Sequence, residues 1–446
     1  MRVAVLGLGV SGLGAVKLAL YNKFVTTGID KKKITDLSKE AKILTKKGMT
    51  FVEEKYAHKI LKEIDVLVVS PGIAKDNKII HSAKTVGIKV VSEIEFAYHH
   101  CKGKIIAITG SNGKTTTTSM VYSIFNSYFN DVRLAGNIGF AFSDKVIGSK
   151  DETIFVLELS SFQLENIEKF KAETAVLLNL TPDHQDQYNS FEDYCLAKIN
   201  VFNNQTKSDF AIINRFDKAI DKYKNLIKAK KYYFSAITHT RKGSFIKKDS
   251  VYFLGGKDQL FKLFSINKLK VRGPHNLENA MAAATAAFLN GVPPMIIESA
   301  LMSFMPLPHR LEYVTTINGA EFYNDSKATN TDSVLKALKS FEKNVVLLLG
   351  GKDKGAEFKD LEGEILKRCK KIVCFGEARE KIKETFSNKI CVECYPTLKK
   401  AVSNLTANSN SKDIVLLSPA CASFDEFKNF EDRGDKFKEW VLKGKK

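Results

Sequence analysis

The stretch KIIAITGSNGKTTTTSMVYSIF, Lys104 to Phe125, changes character twice. It opens as a short β-branched apolar run ending at Thr109, passes through the glycine- and hydroxyl-rich turn TGSNGKTT (Thr109 to Thr116), and continues in a helical pattern. Such a turn between strand and helix can cradle phosphates on the backbone amides of Gly110, Ser111, Asn112 and Gly113. Lys114 can then reach β/γ oxygens, and the hydroxyls of Thr115 and Thr116 open the helix, with Thr115 placed to hold Mg²⁺. A strict Walker loop has glycine five residues before Gly113, where this chain has Ile108. The first loop glycine is Gly110, so the loop is shorter than in most P-loop enzymes. ATP is the expected cofactor, and an α/β fold the expected class.

Outward from that loop, 446 residues predict about three domains. A 44% hydrophobic and 27% charged composition describes a soluble globular protein and excludes a disordered chain. Apolar runs such as Val345 to Leu349 fall far short of the ~20 residues a spanning helix needs. No stable membrane insertion is expected. No secretory pattern precedes the first strand-like segment at Arg2, and seven scattered cysteines suit a reducing compartment, so the expected location is cytoplasmic. Cys391 and Cys394 in CVEC lack a second pair at zinc spacing and read as ordinary thiols. The net charge of +19 is spread along the chain without zinc-finger or RNP patterns, which argues against nucleic acid and leaves phosphate- or carboxylate-bearing substrates compatible.

Strand and helix patterns alternate in three stretches. The first holds Val3 to Leu6, Val66 to Val69 and Lys89 to Val91. The second holds Lys104 to Thr109, Thr153 to Leu159, Ala175 to Leu180 and Phe210 to Ile213, then a polar, aromatic-rich stretch near Thr240 to Leu269 and an alanine-rich helix over Asn276 to Leu289. MPLPHR, with Pro306 and Pro308, reads as a linker. The third holds Val345 to Leu349, Lys371 to Phe375 and Asp413 to Leu417. At the start, VAVLGLGVSGLGA places Gly7, Gly9 and Gly12 in G-x-G-x-x-G at a strand-to-helix turn, with Asp30 ending the next strand-like segment. NAD, a UDP-sugar, another nucleotide or a tight structural turn all satisfy that pattern.

Larger motifs narrow the reading. ITGSNGKTT, GNIG (Gly136 to Gly139), LELSSFQLE (Leu157 to Glu165), TPDH (Thr181 to His184) and HNLEN (His275 to Asn279) resemble the ATP-dependent Mur ligases. SPGI (Ser70 to Ile73), NDSKATN (Asn324 to Asn330), LLLGGKDKG (Leu347 to Gly355) and SPACASFDEFKNFEDRGDKF (Ser418 to Phe437) are similar to the D-glutamate-adding branch of that family. The resemblance implies an α/β chain of three domains: a Rossmann-like UDP-substrate domain over 1–97, a central P-loop ATPase-like domain over 98–306, and a Rossmann-like amino-acid domain over 307–446. It implies ATP-dependent ligation of D-glutamate to UDP-N-acetylmuramoyl-L-alanine through an acyl phosphate, by a monomer with two Mg²⁺ sites.

Site residues carry over by motif. Lys114 would sit on the phosphates, Thr115 and Glu158 on Mg²⁺, and His184 on a second Mg²⁺, with Gln185 and Gln187 beside it where relatives carry an apolar and a basic residue. Arg310 would reach ATP, Asp325 its ribose, and Asn276 and Asn279 its adenine. Lys327, Thr329, Lys354, Ser423 and Phe430 would receive D-glutamate, a dicarboxylate suited to cations and hydroxyls. The glycine turn would then serve UDP: Gly9, Ser11 and Gly12 on the diphosphate, Asp30 and Lys31 near uracil, Ser70 and Gly72 in the same groove, and Asn137 on the diphosphate.

Lys198 has a reading independent of the family. In SFEDYCLAKINVF it shares the 3.6-period stripe of Phe191, Tyr194, Cys195, Val201 and Phe202. A lysine on such a stripe either snorkels to water or, desolvated, becomes a neutral amine able to take up CO₂. The family lysine at this position is carbamylated and helps hold Mg²⁺, which the resemblance assigns to Lys198. Two other classes stay open: an NAD(P)-dependent oxidoreductase, supported by the first glycine motif alone, and a non-catalytic nucleotide-binding regulator. A folylpolyglutamate synthase shares the loop chemistry but is not expected to carry SPGI or SPACASFDEF.

Overall fold

The computed structural model describes residues 1–445 apart from 75, 184–186, 238, 241, 257, 258, 272 and 306. Three α/β sheets carry the chain. The first is a five-stranded parallel sheet of β1 (Arg2–Leu6), β2 (Val25–Asp30), β3 (Thr50–Glu53), β4 (Val66–Val69) and β5 (Lys89–Ser92), in the order β3-β2-β1-β4-β5. Val3, Ala4, Val5 and Leu6 of β1 are all buried, as expected of a central parallel strand covered on both faces. Strand order reverses at β1, so the Gly7–Gly12 turn emerges where open α/β sheets bind ligands.

The second sheet has nine strands: β6 (Lys104–Thr109), β7 (Val132–Gly136), β8 (Ile154–Glu158), β9 (Thr174–Leu177), β10 (Phe210–Asn214), β11 (Lys230–Ser235), β12 (Gly243–Lys247), β13 (Ser250–Leu254) and β14 (Leu260–Ser265). Its order is β14-β13-β12-β11-β10-β9-β6-β8-β7, and β6 occupies a switch point between β9 and β8. The stretch read from sequence as merely polar and aromatic-rich is β12 to β14, whose two antiparallel pairings extend the sheet. Strand β9 ends at Leu177, short of the expected Leu180, because the following residues turn to hold the phosphate loop.

The third sheet contains β15 (Glu312–Ile317), β16 (Ala320–Asn324), β17 (Val345–Gly350), β18 (Cys369–Phe375), β19 (Val392–Tyr395) and β20 (Ile414–Ala420), in the order β15-β16-β20-β17-β18-β19. All pairings but β15–β16 are parallel. The chain forms two compact units: residues 1–267 with 278–301, and 268–277 with 302–446. The first unit holds the first two sheets, joined through buried carboxylates after β5. Glu93 accepts the Ser143 N–H at 2.6 Å, and Glu95 accepts those of Glu168, Lys169 and Phe170 at 2.9–3.0 Å. The second unit holds the third sheet. Of the MPLPHR segment, Pro306 lies outside the described residues. Among the described residues no helix is long and apolar enough to cross a membrane.

Candidate active site

In the first unit the turn after β6 is built for backbone presentation. Gly113 caps the helix Lys114–Asn126 with φ +86°, and a Cβ there would collide with the Asn279 side chain. The loop is held from below by the segment after β9. Asn112 N donates to Asn179 Oδ1 at 2.8 Å, Asn179 Nδ2 returns to Asn112 O at 2.9 Å, and the Ser111 hydroxyl bridges Thr181 O and Thr181 N at 2.9 Å each. Lys114 folds back, its Nζ donating to Gly110 O and Ser111 O at 2.9 Å. That ammonium therefore stays at the loop mouth, where a phosphate would arrive.

Strand β8 delivers Glu158, which is 2% exposed. One carboxylate oxygen accepts from Asn137 Nδ2 at 2.9 Å, while the other is buried without a hydrogen-bond partner. Lys198 comes from the helix Phe191–Ile199, is also 2% exposed, and donates to Gly110 O at 3.0 Å with Nζ 4.7 Å from the Tyr194 ring centre. Burial, then the positive charge of Lys114, pushes the Lys198 pKa well below that of an ordinary lysine. The snorkelling alternative is therefore excluded. Phe191, expected on the same stripe, is 40% exposed at the helix start. His184 and Gln185 lie outside the described residues.

These groups fit a divalent cation: an orphaned carboxylate oxygen, the Thr115 hydroxyl in the first helical turn, and a buried lysine that gives up its proton more readily than an ordinary one and can become an oxygen donor as a carbamate. Among the described residues no three His, Cys, Asp or Glu side chains converge on a metal position, so a ready-made carboxylate cage is absent.

At the first glycine turn, Gly7 has φ +88° and Gly12 packs so closely on Gly7 O that no side chain fits. The Ser70 hydroxyl donates to Gly7 O at 2.6 Å. Asp30 accepts from Leu8 N at 2.8 Å and Lys32 N at 3.0 Å, so its carboxylate braces the turn. Gly9 and Gly72 face open space, Ser11 is half-buried, and Lys31 is exposed.

In the second unit the loops after β16, β17 and β20 come together. Lys352 and Ala422 exchange backbone hydrogen bonds at 2.9 and 3.1 Å, tying the loop of exposed Lys354 to that of buried Ser423. Lys327 Nζ lies 5.0 Å from the Phe430 ring centre, and Thr329 N donates to Lys327 O. Asp325 accepts from Ser418 Oγ at 2.8 Å and Leu311 N at 3.2 Å, and burial pushes its pKa up to about 7, opposed in part by those bonds and by Arg310. Asn276 belongs to this unit, whereas Asn279 belongs to the first.

Two residues had not been singled out for these roles. The buried Tyr194 hydroxyl donates to Ser111 Oγ at 3.0 Å, clamping the phosphate loop. Arg433 is fully buried and donates to Ser326 Oγ and O, Cys421 O and Ala422 O at 2.8–3.2 Å, joining the loops after β16 and β20. Its sequence signal was an arginine in register with Phe437 and Val441 on the inward face of the helix Phe430–Lys443.

A phosphate loop, a cation-suited carboxylate and a buried lysine thus share one unit, and a cluster of cationic and hydroxyl side chains occupies the other. Family models match in the same order: the Mur ligase MurD-like N-terminal domain over residues 1–92, the Mur ligase middle domain over 108–287 and the Mur ligase glutamate ligase domain over 309–421. The chain belongs to the Mur ligase family. Full-length relatives from Koribacter versatilis and Aquifex aeolicus, each 39% identical over 99% of this chain and 97% and 98% of their own, are named UDP-N-acetylmuramoylalanine–D-glutamate ligase. The fold is shared with the Thermotoga maritima UDP-N-acetylmuramate-alanine ligase, at TM-score 0.62 and 16% identity with both chains fully covered. The Thermotoga maritima MurF ligase solved in complex with ADP matches at TM-score 0.61 and 17% identity, covering 99% of this chain and 94% of its own.

Proposed function

We propose that this chain joins D-glutamate to UDP-N-acetylmuramoyl-L-alanine at the expense of ATP, in peptidoglycan precursor synthesis. The observation that carries the chemistry is the buried amine of Lys198, hydrogen-bonded to the phosphate loop beside the orphaned oxygen of Glu158. The substrate assignment rests on the relatives' names.

ATP phosphorylates the substrate carboxylate, the D-glutamate amine attacks the resulting acyl phosphate, and phosphate leaves. Phosphoryl transfer needs positioning and charge neutralisation above all. The loop amides of Gly110 to Gly113 hold the phosphates, and Lys114 turns from its loop carbonyls to the γ-phosphoryl oxygens. Thr115, Glu158, His184 and carbamylated Lys198 would hold two Mg²⁺ ions, which when bound neutralise phosphate charge. Thr116 is buried and supports the helix start. Arg310 and Asp325 serve the nucleotide, as do Asn276 and Asn279.

Gly9, Ser11, Gly12, Ser70, Gly72 and Asn137 receive the uridine diphosphate, with Lys31 at its rim. Asp30 acts there by holding the Leu8 amide in place. Lys327, Thr329, Lys354, Ser423 and Phe430 receive D-glutamate, whose two carboxylates match two lysines. Boundaries at residues 97 and 306, a monomeric state and a cytoplasmic location complete the reading. Phosphate release measured with each substrate omitted in turn tests it. Release should require ATP, Mg²⁺, UDP-N-acetylmuramoyl-L-alanine and D-glutamate together; equal turnover with L-glutamate or L-alanine overturns it.

A further inference from the structure

Cys374 and Cys394 are register partners on β18 and β19, the parallel strands at one edge of the third sheet. Neighbouring strands run about 4.8 Å apart, inside the roughly 4.4–6.8 Å Cα separation that a disulfide spans. Their Sγ atoms are 2.7 Å apart. Cys394 is half-buried on the edge strand, whereas Cys374 is fully buried behind it. Cys391, exposed and just ahead of β19, is nearer to Cys394 along the chain, but the sheet register sets Cys394 beside Cys374.

We propose that Cys374 and Cys394 form a thiol–disulfide exchange site that takes low-molecular-weight disulfides such as oxidised glutathione. Cys394, the accessible thiol, attacks as thiolate on one sulfur of the small disulfide; the S–S bond breaks, and one small thiolate leaves and is protonated. The Cys374 sulfur then attacks Cys394 Sγ, and its proton passes to the small thiolate that departs. That step breaks the mixed disulfide and releases the second small thiol. Two protein thiols are oxidised to one disulfide while the small disulfide is reduced to two thiols. Burial pushes the Cys374 thiol pKa up, so it stays protonated and unreactive toward solvent until a mixed disulfide forms in contact with it. The exchange ties the edge strand to the sheet covalently and reversibly.

The test uses the full-length chain under native conditions. Reduced Cys391→Ser protein treated with oxidised glutathione should lose the mass of two hydrogen atoms. Digestion should then give peptides linked through Cys374 and Cys394, released by dithiothreitol. The double variant Cys374→Ser, Cys391→Ser should instead keep a stable glutathione adduct on Cys394, because nothing resolves it. A lasting adduct on Cys394 with Cys374 present, an unreactive Cys394, or a Cys391–Cys394 link in the unsubstituted chain would each overturn the proposal.

Discussion

Lys198 shows how one side chain links burial to chemistry. A free lysine takes its proton near 10.5, whereas the buried one stays neutral well below that. Between the two values the unfolded chain binds more protons, so this group's contribution to stability falls as pH falls through that window. The same neutrality lets the amine add CO₂, and protonation competes with that addition. Lys198→Met should therefore fold at least as stably as the parent at neutral pH, by thermal melting, and yet be nearly inactive. Lys198→Arg should also be inactive, since guanidinium stays charged. Bicarbonate depletion should slow the parent enzyme, more at lower pH. Full activity of the arginine variant would return Lys198 to a structural lysine.

At the scale of elements, the helix Glu93–Tyr98 after β5 fastens the first sheet to the second through Glu93, whose pKa burial raises from 4.5 to about 7. The folded state holds that proton between those values while the unfolded state has lost it, so stability from this group falls as pH rises through the window. Glu93→Gln keeps an acceptor for Ser143 N and removes the titration. Its melting temperature should vary less than the parent's between about pH 5 and 8; an unchanged pH profile would show that Glu93 is not the titrating group. In the third sheet, Arg433 holds the loops after β16 and β20 with a fork that lysine cannot reproduce. Arg433→Lys should raise the KM for D-glutamate by about tenfold, equivalent to about 1.4 kcal/mol, with the KM for ATP little changed. A parallel rise in both would reduce Arg433 to general support.

For the molecule as a whole, the proposed function distributes binding and chemistry over separate sheets. The glycine turn belongs to the first and the phosphate loop to the second. Lys114→Ala should therefore cost roughly a hundredfold or more in turnover, as loss of a preorganised electrostatic donor does, while calorimetric binding of UDP-N-acetylmuramoyl-L-alanine is largely kept. Turnover near the parent's would remove the phosphate role from Lys114. The net charge of +19 is compatible with anionic substrates, but it pointed to none of these residues.

Sequence by itself determined the class of fold, about half of the strand positions and the place of the glycine-rich loop between β6 and its helix, because these depend on local periodicity and on glycines at turns. It also marked Lys198, since an apolar stripe is a local pattern. Only the tertiary structure decided what those residues face. Asp30 turns to the Leu8 amide, Tyr194 reaches Ser111, Arg433 reaches Ser326 and Cys421, and Cys394 meets Cys374. Register fixes the cysteine pair, and the packing of helices and loops on the sheets fixes the others. Sheets bring together segments whose separation along the chain leaves no local trace, and in a buried interior a polar group's partner decides whether it holds the fold or meets a ligand.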